Sequence, residues 1–199
     1  MNGKRQTTGV ILAGGLARRM GGRDKGLLAF EGRPLIRHVI DALRPQVERL
    51  IVNANRNLES YARFGLPVVE DEVEGFQGPL AGILSAMHQA ATPWLLVVPC
   101  DAPHPPPDLR ERLMEAAQKR NALIAVAHDG VRLQPVHALI STALAADLEQ
   151  WLASGGRKID RWYARHPMAV VDFSDRPEAF LNLNTPEERQ RLEKQRSAG

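Results

Sequence analysis

The chain has 199 residues, of which 44% are hydrophobic, 25% charged and 5% aromatic, an ordinary globular balance that excludes a disordered chain, a collagen-like repeat and a coiled-coil rod. Its net charge of +3 is unevenly spread: residues 1–50 carry ten basic and four acidic side chains, and residues 51–150 carry seven and twelve. A basic start beside an acidic middle suits a small anionic substrate with a metal ion, whereas sparse aromatics and the lack of basic stripes argue against polynucleotide binding.

The expected elements alternate in type. A polar start, Met1 to Thr8, has no apolar stretch of the kind a signal peptide needs. Thr8 to Leu12 reads as a buried strand, and Pro34 to Leu43 as a helix with proline at its first position and Leu35, Val39 and Leu43 on one face. Strands follow at Leu50–Asn53 and Pro67–Val69, then a helix over Leu80–Ala90 and a central strand at Trp94–Val98. The run Trp94 to Cys100 is the longest apolar stretch and is far too short to span a bilayer. Beyond a rigid proline-rich turn at 103–107, a helix is expected over Pro107–Lys119, strands over Leu123–Ala127 and Val136–Ile140, and helices at about 142–153 and 158–165. Met168–Phe173 is the last strand, and Thr185-Pro186-Glu187-Glu188 is a capping box opening a terminal helix.

Strands alternating with helices predict an α/β three-layer sandwich: a Rossmann-like, mostly parallel sheet with helices on both faces. No linker, repeat or composition shift divides the chain, so 1–199 reads as a single domain. Ligands in such sheets sit beyond the carboxyl ends of the strands, and the residues there are polar or glycine-rich.

After the first strand, Gly14, Gly15, Gly21 and Gly22 stand with Arg18, Arg19 and Lys25. Glycines let backbone N–H groups approach phosphate oxygens, and the cations neutralise charge; the competing reading is a plain strand-to-helix turn. Neither a P-loop nor a dinucleotide-binding glycine pattern is present. Asn53 and Asn55 follow the second strand and suit either a turn or a base or ribose contact. Glu70-Asp71-Glu72 follow the third: either a solvated acidic loop or a carboxylate accepting from the N1–H and 2-amino group of guanine. Gly78-Pro79-Leu80-Ala81-Gly82 reads as a helix start open to an anion, or as a simple cap. Asp101, just past the fourth strand, suits Mg²⁺, which favours one or two carboxylates plus substrate phosphates; an Asp cap for the turn at Pro105 is the alternative.

Gly155-Gly156-Arg157-Lys158 is a basic turn, and Asn182 and Asn184 share a face if 181–184 is extended. The single cysteine, Cys100, permits no internal disulfide and no cysteine-only zinc site. It reads as a small buried hydrophobe in a reduced, cytoplasmic protein. The six histidines show no metal-binding spacing and read as surface or core filler.

Leu12-Ala13-Gly14-Gly15, Arg18-Arg19-Met20-Gly21-Gly22 and Asp24-Lys25-Gly26 together resemble the signature of the small nucleotidyltransferases, the nucleotide-diphospho-sugar transferase type of fold. With Gly78–Gly82, Pro99-Cys100-Asp101 and Phe180 to Glu187, the resemblance spans nearly the whole chain and narrows to the bacterial molybdenum cofactor guanylyltransferases. CTP-using relatives more often carry Leu-Ala-Ala-Gly. The resemblance implies Mg²⁺-dependent transfer of GMP from GTP to the terminal phosphate of molybdopterin, with release of pyrophosphate.

It implies that Leu12, Ala13 and Gly14 meet the guanine and that Gly15 and Lys25 meet the phosphates. Asn53 and Asp71 would contact GTP, and Asp101 would bind both metal and nucleotide. Arg19, Lys25 and Asp101 would be catalytic. Gly22, Gly78, Gly82, Arg157, Asn182 and Asn184 would serve the acceptor side. Residues 1 to about 105 would be the nucleotide-binding part and the remainder the acceptor part. Transient contact with cofactor-delivery proteins or molybdoenzyme chaperones is a further implication, with no nucleic-acid or membrane partner. Ala17, where many relatives have Ser, and His104, where an aromatic is common, depart from the pattern. Rival readings are a cytidylyltransferase of molybdopterin or another small phosphorylated acceptor, a non-catalytic nucleotide-binding regulator, and, disfavoured by the missing glycine pattern, a nicotinamide dehydrogenase.

Overall fold

In the computed structural model, residues 6–14, 24–72 and 78–183 are described. A seven-stranded sheet is formed by β1 (Thr7–Leu12), β4 (Arg49–Asn53), β5 (Val68–Val69), β6 (Trp94–Pro99), β7 (Ile124–His128), β8 (Leu133–Ser141) and β9 (Met168–Asp172), in the order β5-β4-β1-β6-β8-β7-β9. All ladders are parallel except those of β8 with β6 and with β7. The mostly parallel α/β sandwich expected from the sequence is the fold observed.

Burial on both faces explains why β1, β4 and β6 read as unbroken apolar runs. Side chains alternate across the sheet. Ile11, Val52, Leu96 and Val98 face α1 (Leu35–Leu43) and α4 (Leu109–Lys119), which supply Val39, Ile40, Leu109 and Leu113. On the other face, Val10, Ile51, Leu95 and Val97 pack against Leu80, Ile83 and Leu84 of α3 (Pro79–Gln89). Leu148 and Leu152 of α5 (Ala145–Ala153) and Trp162 of α6 (Ile159–Tyr163) complete that layer. The Trp162 indole N–H donates to Asp147 (2.8 Å), joining α6 to α5.

Several boundaries shift for local reasons. Pro34 lies outside α1, because Ala29–Phe30 (β2) and Arg33–Pro34 (β3) form a hairpin that the sequence reading lacks. Its Glu31-Gly32 loop has φ of 48° and 75°, the two positive values of a type I′ turn. The helix expected from Pro107 starts at Leu109, and the one expected at 142–153 begins with a 3-10 turn over Thr142–Leu144. Strand β8 starts at Leu133, not Val136, with a register shift opposite Val126/Ala127. A short helix, α2 (Leu58–Ala62), is additional. The capping box at 185–188 lies outside the described residues.

Strand β1 is the centre of the parallel half, with β4 and β5 on one side and β6 on the other. The chain leaves β1 toward β4 and later returns to its opposite edge. That reversal opens a crevice beyond the carboxyl end of β1, the place where α/β sheets bind ligands.

Candidate active site

A cavity of about 410 Å³ occupies this crevice, within the usual range for a small-molecule site. Leu12, Ala13 and Gly14 line it from β1, Asn53 and Asp71 from β4 and β5, and Pro99, Cys100 and Asp101 from β6. Asp24 and Lys25, Gly78 and Pro79, Val136 and Asn182 complete the lining.

The strand ends are tied together. Ala13 N–H donates to Asn53 O (2.8 Å) and Cys100 N–H to Leu12 O (3.0 Å). Burial pushes the Cys100 thiol well above its usual range, so it stays protonated. This agrees with its reading as a small hydrophobe.

On the β4–β5 side, Asn53 Nδ2 donates to Asp71 Oδ1 (2.8 Å) and to Val69 O (3.2 Å). Asn55 Nδ2 donates to Asp71 Oδ2 (2.8 Å), and Asp71 N–H donates to Asn55 Oδ1 (2.8 Å). Asp71 is therefore an amide-clamped carboxylate and not a loosely solvated one. Asn53 itself is held from below by Gly82: a Cβ there would overlap Oδ1 and stand 2.7 Å from Cγ.

On the β6 side, Lys25 Nζ lies 3.3 Å from Asp101 Oδ2, both partly buried. Asp24 orients the turn that carries Lys25. Its carboxylate accepts from Gly26 N–H (3.3 Å), Asn57 Nδ2 (3.1 Å) and the Tyr61 hydroxyl, and Arg56 Nε lies 3.7 Å away. Burial, reinforced by neighbouring Cys100 and Asp24, pushes the Tyr61 phenol far up, so it remains a donor.

Among the described residues no cluster of three His, Cys, Asp or Glu side chains is placed to hold a metal by itself. Asp101 offers one hard oxygen donor at the cavity wall. That suits a cation whose remaining ligands are phosphate oxygens and water, the habit of Mg²⁺.

The acceptor-side set is only partly assembled here. Gly78 lines the cavity at the N-terminus of α3, with φ +70°, a backbone conformation that other residues adopt at a cost. Asn182 lines it too, brought in by a Leu183 N–H to Asp101 O bond (2.8 Å) and by burial of Leu183 with Phe30 and Leu35. His104 packs edge-on against Phe30 (5.7 Å) in the same corner, so an imidazole fills the aromatic position. Gly82 packs under Asn53 and is not part of the lining. The Arg157 guanidinium turns to the carbonyls of Leu152 and Gly156 (2.7 Å each), at the C-terminus of α5. Only its backbone oxygen nears Gly78, 4.0 Å from where a Cβ would stand. Gly15, Arg19, Gly22 and Asn184 lie outside the described residues.

Asp24 is the structural addition, and Asn55, which the sequence offers for a turn or for a base or ribose contact, gains a defined partner in Asp71. Asp24 stands in the glycine-rich signature, but its partners come from α2 and its flank. Asn55, two positions beyond Asn53, carries the same-face signal, whereas its partner lies across the β4–β5 ladder.

A family model described as a MobA-like NTP transferase domain matches residues 9–169. A protein of Shewanella sediminis (strain HAW-EB3) named molybdenum cofactor guanylyltransferase is 53% identical over 187 residues, covering 94% of this chain and 95% of its own. One of the same name from Shewanella loihica (strain ATCC BAA-1088 / PV-4) is 52% identical over the same span. Among solved structures, the molybdopterin-guanine dinucleotide biosynthesis protein A of Archaeoglobus fulgidus superposes with a TM-score of 0.80 at 23% identity, covering 97% of this chain and 100% of that one. The 2-C-methyl-D-erythritol 4-phosphate cytidylyltransferase of Thermus thermophilus gives 0.69 at 18% identity, covering 94% and 98%. At those identities the two structures establish the fold alone.

Proposed function

The chain belongs to the MobA-like NTP transferase family, as one of its molybdenum cofactor guanylyltransferases, and we propose that its cavity binds GTP across β1, base toward Asp71 and phosphates toward Lys25 and Asp101. The activity is a nucleotidyl transfer in molybdenum cofactor biosynthesis: GTP donates GMP to molybdopterin. The family works with a divalent metal, and Mg²⁺ is our assignment for it.

One observation carries the orientation. Asn53 and Asp71 end the strands on one side of β1, while Asp101 ends the strand on the other, with Lys25 paired to it. A nucleoside triphosphate laid across the crevice meets hydrogen-bonding groups at one end and charge at the other. Guanine presents two adjacent donors, N1–H and the 2-amino group, and a carboxylate accepts such a pair in parallel. Cytosine and adenine present a donor beside an acceptor there, so Asp71 favours guanine.

In the reaction, a terminal phosphate oxygen of molybdopterin bonds to the α-phosphorus of GTP as the α–β P–O bond breaks. Pyrophosphate leaves with the electron pair. The nucleophile is already an anion, so no general base is needed, and the protein acts by positioning and charge neutralisation. Lys25 neutralises phosphate charge, and Asp24 fixes the turn from which it reaches. Asp101 would hold the metal, which would supply positive charge to the phosphate oxygens. Arg19 supplies a further cation to the phosphates. Gly22, Gly78, Asn182 and Asn184 belong to the acceptor side, and Gly15 to the phosphate loop. Residues 1 to about 105 act as the nucleotide part of a single domain over 1–199. No helix of the described residues is long and apolar enough to cross a membrane. We assign a cytoplasmic site of action, with transient contact to a cofactor-delivery protein or molybdoenzyme chaperone.

The cytidylyltransferase structure shares this fold, so fold alone does not select the base. Calorimetric titration with GTP, CTP, ATP and UTP, each with Mg²⁺ and with EDTA, tests the reading. GTP is expected to bind best and to lose most of its affinity in EDTA. Preference for CTP would overturn the base assignment, and no binding at all would overturn the site.

Gly82→Ala tests the nucleotide side independently of the charged end. The added methyl must displace Asn53, an overpacking that costs about 1–3 kcal/mol. We expect a lower Tm and a KM for GTP raised by about tenfold, read by thermal melts and steady-state kinetics. A variant with unchanged KM would show that Asn53 has no part in GTP binding.

A further inference from the structure

The parallel ladder between β4 and β5 ends just before Asp71. Val52 N–H donates to Pro67 O (2.9 Å) and Ala54 N–H to Val69 O (3.0 Å). Beyond Val69 the Asn55 side chain takes over from the backbone. Its Oδ1 accepts the Asp71 N–H while its Nδ2 donates to Asp71 Oδ2, each at 2.8 Å. These two bonds close a ring through one residue, fixing the Asp71 backbone and the direction of its carboxylate together.

Asn53 alone leaves Asp71 Oδ1 attached at one point, about which the carboxylate can turn. With Asn55 present, each carboxylate oxygen has one amide donor and retains acceptor capacity. Position 14 joins the same unit: a Cβ there would stand 3.2 Å from Asn55 Nδ2 and 3.4 Å from Asn53 Oδ1. The amide pair thus sits against the backbone of the β1 loop that lines the cavity.

We infer that Asn55 is a positioning residue for base specificity: by holding Asp71 at two points, it aligns both carboxylate oxygens with the N1–H and 2-amino donors of guanine. The inference rests on the assignment of Asp71 to guanine in the proposed function. Asn55 touches Asp71 and not the reacting atoms, so its loss acts on base discrimination before it acts on chemistry.

The test compares wild type, Asn55→Ala, Asn55→Asp and Asp71→Asn with GTP and with ITP, which keeps N1–H and lacks the 2-amino group. Calorimetry, steady-state kinetics and thermal melts are run on each. Asn55→Asp keeps an acceptor for the Asp71 N–H and replaces the donor to Oδ2 with a repelling oxygen. Wild type is expected to favour GTP over ITP. In both Asn55 variants that ratio is expected to fall by about 10-fold or more, the weight of one charge-assisted hydrogen bond, through KM more than through kcat. Loss of stability with an unchanged GTP-to-ITP ratio would overturn the inference by making Asn55 merely structural. If one Asn55 variant does not fold, the other carries the comparison. A ratio that collapses in Asp71→Asn but not in either Asn55 variant would sink the Asn55 role and leave the proposed function standing. A wild type with no preference for GTP over ITP, or an Asp71→Asn protein whose GTP-to-ITP ratio matches wild type, would instead remove Asp71 from guanine recognition.

Discussion

Replacing Asp101 by alanine is expected to slow guanylyl transfer by about 100-fold or more, the scale for loss of one electrostatic element in a closed site. Among the described residues, Asp101 has no acidic substitute in the lining on its side except Asp24, and that carboxylate is occupied by Gly26 N–H, Asn57, Tyr61 and Arg56. Raised Mg²⁺ should recover part of the deficit, because losing a proposed ligand weakens metal affinity and mass action refills the weakened site. The fold should survive, since the backbone bond from Leu183 to Asp101 O does not use the side chain. Pyrophosphate release under saturating GTP measures the effect, and turnover within a few-fold of wild type would remove Asp101 from the metal site.

Replacing Lys25 by alanine is expected to cost a similar factor of about 100, with a different signature. Lys25 pairs with Asp101 at 3.3 Å, so it offsets that carboxylate, and in its proposed role it would neutralise phosphate charge once the nucleotide arrives. Both KM for GTP and kcat should therefore worsen, and the KM deficit should shrink at high ionic strength far less than that of a surface lysine. Arginine at this position should rescue only in part, because a planar fork does not replace a compact ammonium. Unchanged kcat with raised KM would reduce Lys25 to a ground-state phosphate contact.

Much of the scaffold was legible in the residues. β1, β4 and β6 are runs of Val, Ile and Leu buried on both faces, a pattern that declares a parallel strand. From the strands came the ligand edge, and from the ligand edge came Asn53, Asp71 and Asp101. The hairpin at 29–34 was hidden because Glu-Gly is a weak signal beside Asn-Gly, and its strands have two residues each. α2 has five residues, too few for a helical period to show. The early start of β8 was masked by Gln134 and Pro135, although Gln134 is buried and bonded to Asp129.

The site was less legible where a role depends on a distant partner. Gly82 is conspicuous in the sequence, but its work beneath Asn53 appears only once α3 packs against the sheet. Arg157 reads as an acceptor-side cation, yet its guanidinium closes the end of α5. Asn55 is visible as a second amide two residues after Asn53, and nothing local says that its partner is Asp71. Asp24 stands beside Lys25 in the signature, whereas the residues that hold it come from 56, 57 and 61.

The most direct measurement is transfer of label from α-labelled GTP to molybdopterin, run with Mg²⁺ and with α-labelled CTP in parallel. Label from GTP should appear in a molybdopterin guanine dinucleotide as one pyrophosphate is released per transfer, with little product from CTP. Label entering the product preferentially from CTP, or GTP bound without any transfer, would contradict the account.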